Sequence, residues 1–210
     1  MANKDQSDFM LEEYRQIANA FFNLYVQINT ILKLYLTIIS ISSTAIISIL
    51  TLRPDLFSDN LSLLEGHSIG QIAGGGFFIL SLVGITIFAN IIGTRVQMLN
   101  YARTINCIRG YFADNYSDIK KYLRLPTDDK TPSYFENIYR SFFWQIFMVS
   151  FLNSILITVG LNLFFWEMKS DVVINIIIII LFISIQIIVY YLFCAKRQKD
   201  YALKWAKDKK

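Results

Sequence analysis

The stretch VVINIIIIILFISIQIIVYYLFC, Val172–Cys194, decides the fold of this chain. It contains no Asp, Glu, Lys or Arg, and Ile176–Ile180 is an unbroken isoleucine run. A short apolar run of this kind can be a buried strand in a soluble protein. This one continues without a turn signal for about the 20 residues a helix needs to cross a bilayer. Lipid offers the backbone no hydrogen-bonding partners, so a spanning segment must be a helix or part of a closed barrel. The stretch does not alternate polar and apolar residues, which excludes a barrel and leaves a transmembrane helix.

Three further stretches free of Asp, Glu, Lys and Arg precede it: Leu34–Leu52, Gly70–Gly93 and Phe142–Trp166. The sequence therefore predicts an all-α protein with four spans at 34–52, 70–93, 142–166 and 172–194. The composition agrees. Of 210 residues, 54% are hydrophobic and only 17% charged, against about 25% charged in soluble domains.

Lys and Arg are distributed very unevenly among the connections. The loop 53–69 carries only Arg53, and the turn 167–171 only Lys169. The segment 94–141 carries Arg95, Arg103, Arg109, Lys120, Lys121, Arg124, Lys130 and Arg140, and the tail 195–210 carries Lys196, Arg197, Lys199, Lys204, Lys207, Lys209 and Lys210. Basic residues stay on the cytoplasmic side. The segment 94–141 and the tail are thus expected in the cytoplasm, and four spans then place the N-terminus there as well. The first thirty residues hold Asp5, Asp8, Glu12 and Glu13 and lack the basic start of a cleaved signal peptide.

The cytoplasmic pieces are too short to bury cores of their own and are expected to extend the spans as helices. Within 1–33, Met10, Tyr14, Ile17, Phe21, Leu24 and Ile28 recur at alternating steps of four and three, and the series continues to Ile31 and Tyr35. This is a heptad seam. It fits packing within one subunit, and it fits equally a seam between subunits of a homo-oligomer. The segment after Thr94 is expected to be helical to about Leu123, with a turn at Pro126, Asp128 and Asp129. Met98, Tyr101, Ile105, Ile108, Phe112, Ile119 and Leu123 fall on one face, and Arg95, Arg103, Arg109, Lys120, Lys121 and Arg124 on another. Gly110 weakens the middle of this helix. The basic arc is either an ordinary solvated cytoplasmic face or a surface for lipid headgroups, an oligonucleotide or an acidic regulatory protein. In the tail, Tyr201, Leu203 and Trp205 alternate with lysines, as in a helix end lying on anionic headgroups.

Little in the chain resembles catalytic equipment. His67 is the single histidine, Cys107 and Cys194 have no metal-ligand spacing, and no phosphate-binding or nucleophile-elbow motif occurs. Gly74–Gly76 lies inside a span, where with Gly70 it gives a GxxxG packing spacing. We therefore expect no enzyme activity, metal or cofactor. The absence of ionisable residues deep in the spans argues against a proton- or ion-coupled transporter. The spans do carry neutral polar groups. Thr37, Ser40, Thr44, Ser48 and Thr51 share one face of the first span, Asn153 and Asn162 lie in the third, and Gln186 in the fourth. The hydroxyls suit either bonds to their own helix backbone or the lining of a water-filled pore in an oligomer.

In NYARTINCIRGYFAD, Asn100–Asp114, and LEEYRQIANAFF, Leu11–Phe22, the chain resembles small bacterial multi-pass membrane proteins, some of which accompany anti-phage systems as channel-type effectors. The resemblance implies a membrane-permeabilising effector of the bacterial inner membrane. Together with the hydroxyl face it points to a homo-oligomeric pore gated from the cytoplasmic side. The alternatives are a non-conducting anchor that recruits a cytoplasmic partner, and a small transporter.

Overall fold

A computed structural model describes residues 4–52, 69–116, 126–127, 132–134, 141–165 and 171–208. Among these the regular structure is entirely helical: α1 (Lys4–Leu52), α2 (Ile69–Asn115), α3 (Ser141–Phe164) and α4 (Val172–Asp208). The runs 34–52, 70–93 and 172–194 each fall within one helix, the run 142–166 overlaps α3 to Phe164, and each helix is long and apolar enough to cross a bilayer. The richest stretch of α4 reaches a mean hydropathy of 3.1. This architecture is compatible with a multi-pass membrane protein. α1, α2 and α4 have 49, 47 and 37 residues. About 20 suffice for a span, so each continues well beyond its apolar run.

Two of the helix ends are satisfied locally. At the start of α4, Asp171 accepts a hydrogen bond from the Val173 amide at 3.4 Å and its carbonyl accepts from the Asn175 amide, the arrangement of an N-cap. At the end of α2, the Asn115 side-chain amide donates to the Tyr111 carbonyl at 2.8 Å, and the Tyr116 amide donates to Phe112. The helix was expected to reach about Leu123, but residues 117–125 lie outside the described residues.

The chain divides into two compact units. One comprises residues 31–90 and 137–191 and contains most of the apolar runs. Here α3 is the most enclosed helix, with half of its most apolar stretch buried, whereas the corresponding stretches of α1 and α4 are 11% and 6% buried. α2 and α3 meet almost backbone to backbone. A β-carbon on Gly74 would stand 2.8 Å from the Phe164 amide nitrogen and 2.9 Å from the Gly160 carbonyl oxygen, so only glycine fits there. This is the use of small residues that lets membrane helices approach closely.

Polar side chains tie three helices of this unit, α1, α3 and α4, together. The Tyr35 hydroxyl of α1 donates to Oδ1 of Asn153 on α3. The Asn153 amide donates to Oε1 of Gln186 on α4 at 3.1 Å, and the Gln186 amide donates to the Ser150 carbonyl at 3.4 Å. Gly84 of α2 lies directly against this group, and a β-carbon there would overlap Asn153 and crowd the Tyr35 hydroxyl. Tyr35, Asn153 and Gln186 are buried, so their polar atoms must find partners inside the protein. Nearer the start of α4, the Asn162 amide donates to Asn175 at 3.0 Å.

The second unit comprises residues 1–30, 91–136 and 192–210. Its apolar core is Ile17 of α1 with Ile105 and Ile108 of α2, and Met10, Tyr14, Ala18, Phe21 and Phe112 pack around them. Four residues of the heptad seam thus serve packing within one chain. Leu24 is half-buried and Ile28 buried.

Candidate functional site

The second unit holds a cavity of about 510 Å³ lined by α2, the end of α4 and Tyr134. Val96, Asn100, Thr104 and Cys107 contribute from α2 at helical spacing, as does Arg103. α4 contributes Arg197, Asp200 and Tyr201. The size falls within the range of small-ligand sites, roughly 300–1,000 Å³.

Arg103 organises this site. Its side chain is only 1% exposed. Nε donates to the Pro132 carbonyl at 3.0 Å and Nη2 to Oε1 of Gln198 at 3.1 Å. The guanidinium carbon lies 4.2 Å from the centre of the Tyr134 ring and 4.4 Å from that of Tyr201. A guanidinium is planar, weakly hydrated and suited to stacking on aromatic faces, which allows this cation to enter an interior closed to lysine. The Tyr134 hydroxyl in turn donates to Oδ1 of Asn100. Burial raises the pKa of Tyr134 above its usual value, and the nearby positive charges of Arg103 and Arg197 offset part of that rise. The phenol is therefore a neutral hydrogen-bond donor at physiological pH.

Arg197 and Asp200 are exposed, in contrast to Arg103. The cavity accordingly has one guanidinium on its inner wall, a second at the surface, and a carboxylate beside the second. That set complements a ligand carrying an anionic group together with a hydrogen-bond donor.

The residues expected to form a basic face are distributed differently. Arg103 is interior and Arg95 half-buried. Arg109 is half-buried, and its guanidinium donates to the Tyr14 hydroxyl at 3.3 Å and to Asn106 at 3.4 Å. Lys120, Lys121 and Arg124 lie outside the described residues, as does His67. Arg103 and Arg109 thus hold the unit together as well as supplying charge. Tyr134, Gln198, Asp200 and Asn100 were not singled out from the sequence. They belong to segments far from Arg103 along the chain or lie among other polar residues, and helical spacing relates none of α4 to α2.

Gly110, which weakens an isolated helix, has a positive role here. A β-carbon on it would approach the Thr127 carbonyl oxygen to 2.8 Å, so the glycine lets the chain at 126–127 pass close to α2.

In the first span, Thr37, Ser40, Thr44 and Thr51 are exposed and Ser48 is half-buried. Thr37 donates to the Lys33 carbonyl at 2.9 Å and Thr51 to the Ile47 carbonyl at 2.7 Å. Among the described residues no group of three or more His, Cys, Asp or Glu is placed to hold a metal. No protein-family model, curated protein or solved structure matches the chain.

Proposed function

We propose that the chain is the subunit of a homo-oligomeric membrane pore, controlled from the cytoplasmic side through the unit that contains Arg103. The observation that carries this reading is the hydroxyl face of α1. Thr37, Ser40, Thr44 and Thr51 are all exposed on the single chain. A row of hydroxyls offered to lipid gains nothing from that solvent, whereas copies of α1 around a water-filled path would give the row a use. The concentration of Lys and Arg in 94–141 and 195–210 supports a cytoplasmic location for those segments and for the N-terminus. On this reading the chain belongs in a bacterial inner membrane and serves there as a membrane-permeabilising effector of anti-phage defence.

The test is ion flux in liposomes containing the purified protein, with oligomer mass measured on the same sample. Flux above that of empty liposomes, abolished in the Thr44→Leu, Ser48→Leu double variant, is the expected result. Flux unchanged by that double substitution would remove α1 from the lining.

A second reading is a non-conducting anchor that presents the same unit to a cytoplasmic partner. Two observations favour it. Thr37 and Thr51 already donate to their own helix, as lipid-facing hydroxyls do. Met10, Tyr14, Ile17 and Phe21 also pack within the chain, a use for the seam that needs no second subunit. A well-folded protein that captures a cytoplasmic protein and shows no flux with or without it would establish the anchor.

A further inference from the structure

We propose that the cavity between α2 and the end of α4 binds the headgroup of a phospholipid, and that it favours headgroups that carry their own hydrogen-bond donor, ethanolamine or glycerol.

The argument starts from the chemistry of the walls. Arg197 presents an exposed guanidinium to the cavity, able to fork onto a phosphate with two parallel N–H···O bonds, and Arg103, whose Nε and Nη2 are engaged by Pro132 and Gln198, adds a second positive charge from the inner wall. Asn100 adds an amide to the same space, and the Thr104 hydroxyl beside it donates to the Asn100 carbonyl at 3.1 Å. Two positive charges alone would suit any small anion. Asp200 narrows the choice, because an anion with no donor would meet a carboxylate it cannot satisfy. A phosphoethanolamine or phosphoglycerol group places its phosphate on Arg197, within the field of Arg103, and its ammonium or hydroxyl on Asp200. Phosphocholine offers no N–H or O–H to that carboxylate.

Position along the helices separates a lipid from a soluble phosphate. Arg197 and Asp200 follow Cys194, the last residue of the α4 apolar run, by three and six residues. At about 1.5 Å per residue these are about 5 and 9 Å of rise. Val96 and Asn100 follow Gly93, the last residue of the α2 run, by three and seven, about 5 and 10 Å. The polar layer on each face of a bilayer is roughly 5–8 Å thick. The exposed Arg197 thus lies at headgroup depth, where basic residues bind lipid phosphates, and Asp200 and Asn100 lie just beyond that layer. The proposal takes from the proposed function only that the apolar runs cross a bilayer. It requires no pore and is read without measuring conduction.

The experiment compares the full-length wild type with Arg197→Gln and Asp200→Ala. Both substitutions are at exposed positions, and equal melting temperatures would show that the fold is kept. Each protein is reconstituted in nanodiscs of phosphatidylcholine mixed with phosphatidylethanolamine or phosphatidylglycerol, and the lipid that stays bound after release is identified by native mass spectrometry. The wild type should retain the donor-bearing lipids over phosphatidylcholine by about tenfold, the value of one charge-assisted hydrogen bond. Arg197→Gln should lower retention of every lipid by a similar factor. Asp200→Ala should keep lipid but lose the preference. Three proteins with the same bound lipids would overturn the proposal. Displacement of the lipid by glycerol 3-phosphate or inorganic phosphate at matched concentration would overturn the lipid as occupant and assign the cavity to a soluble phosphate.

Discussion

The guanidinium of Arg103 rests 4.2 Å above the ring of Tyr134, so a buried charge is held by an aromatic face from a distant segment. Replacing Arg103 with Lys keeps the charge and loses the fork. Nε and Nη2 no longer reach Pro132 and Gln198 together, and a strongly hydrated ammonium must enter the interior. Arg103→Lys is expected to cost about 2–4 kcal/mol, seen as a lower melting temperature by circular dichroism in detergent. A melt within a degree of wild type would show that the stacking contributes little.

Tyr134 gives the same unit an alkaline limit. Burial raises its pKa, so the folded protein holds the phenol proton more tightly than the unfolded chain does. This contribution is complete below the unfolded value, near 10, and declines as pH rises from there through the folded value. Across neutral pH it is constant. Melting curves from pH 7 to pH 11 should show an alkaline loss in wild type that is smaller in Tyr134→Phe, with parallel curves below about pH 9. Equal alkaline losses in the two proteins would assign the effect to other groups.

The α2–α3 contact tolerates no added atom at Gly74. Its neighbours are the backbone of Gly160 and Phe164, which cannot swing aside as a side chain can. Gly74→Ala is expected to cost about 1–3 kcal/mol, whereas Gly75→Ala, with open space around it, should be neutral or slightly stabilising because alanine is the better helix former. Thermal melts of the two variants side by side provide the check, and equal losses would contradict the close approach.

Substitution at Asn153 tests the polar tie between helices. Asn153→Ala removes the acceptor of Tyr35 and the donor to Gln186. Hydrogen bonds between spans are worth about 0.6 kcal/mol on average and up to about 1.7, so a loss of roughly 1–2 kcal/mol is expected. Gly84→Ala should cost more, because its β-carbon enters the space of the network itself. Steric trapping in bicelles can rank the two, and a harmless Gly84→Ala would place the network elsewhere.

Ile17 separates folding from assembly. It is buried against Ile105 and Ile108 of the same chain. Ile17→Ala should destabilise the protein by about 2–4 kcal/mol and leave the oligomer mass unchanged. Dissociation without loss of helical content would return the seam to a subunit interface.

The spans were legible because lipid imposes one requirement on every residue of a run, so a local count suffices. Val172–Cys194 and α4 show this most directly. The Met10–Ile28 spacing likewise located the inward face of α1 but could not name its partner, since periodicity describes a surface and not its complement. Arg103 was legible only as a basic residue on a helix. Its interior position depends on Tyr134 and Tyr201, which tertiary structure alone brings to it. Asn153 and Gln186 stood out as polar residues in apolar runs, but nothing local to either one encodes their hydrogen bond to each other. Gly110 reads as a defect until Thr127 is seen against it.

The outer surface of α4 has a consequence for how this chain can change. Within the apolar run, its buried or half-buried positions include Asn175, Phe182, Gln186, Tyr190 and Cys194, while Val172, Ile176, Ile177, Ile180, Ile185, Ile188 and Leu192 are exposed. A hydrocarbon solvent does not distinguish isoleucine from leucine or valine. The exposed positions of this run can therefore exchange among isoleucine, leucine and valine at little cost to the packing of the single chain, and likeness along them can fade while Asn175, Gln186 and Tyr190 keep their places.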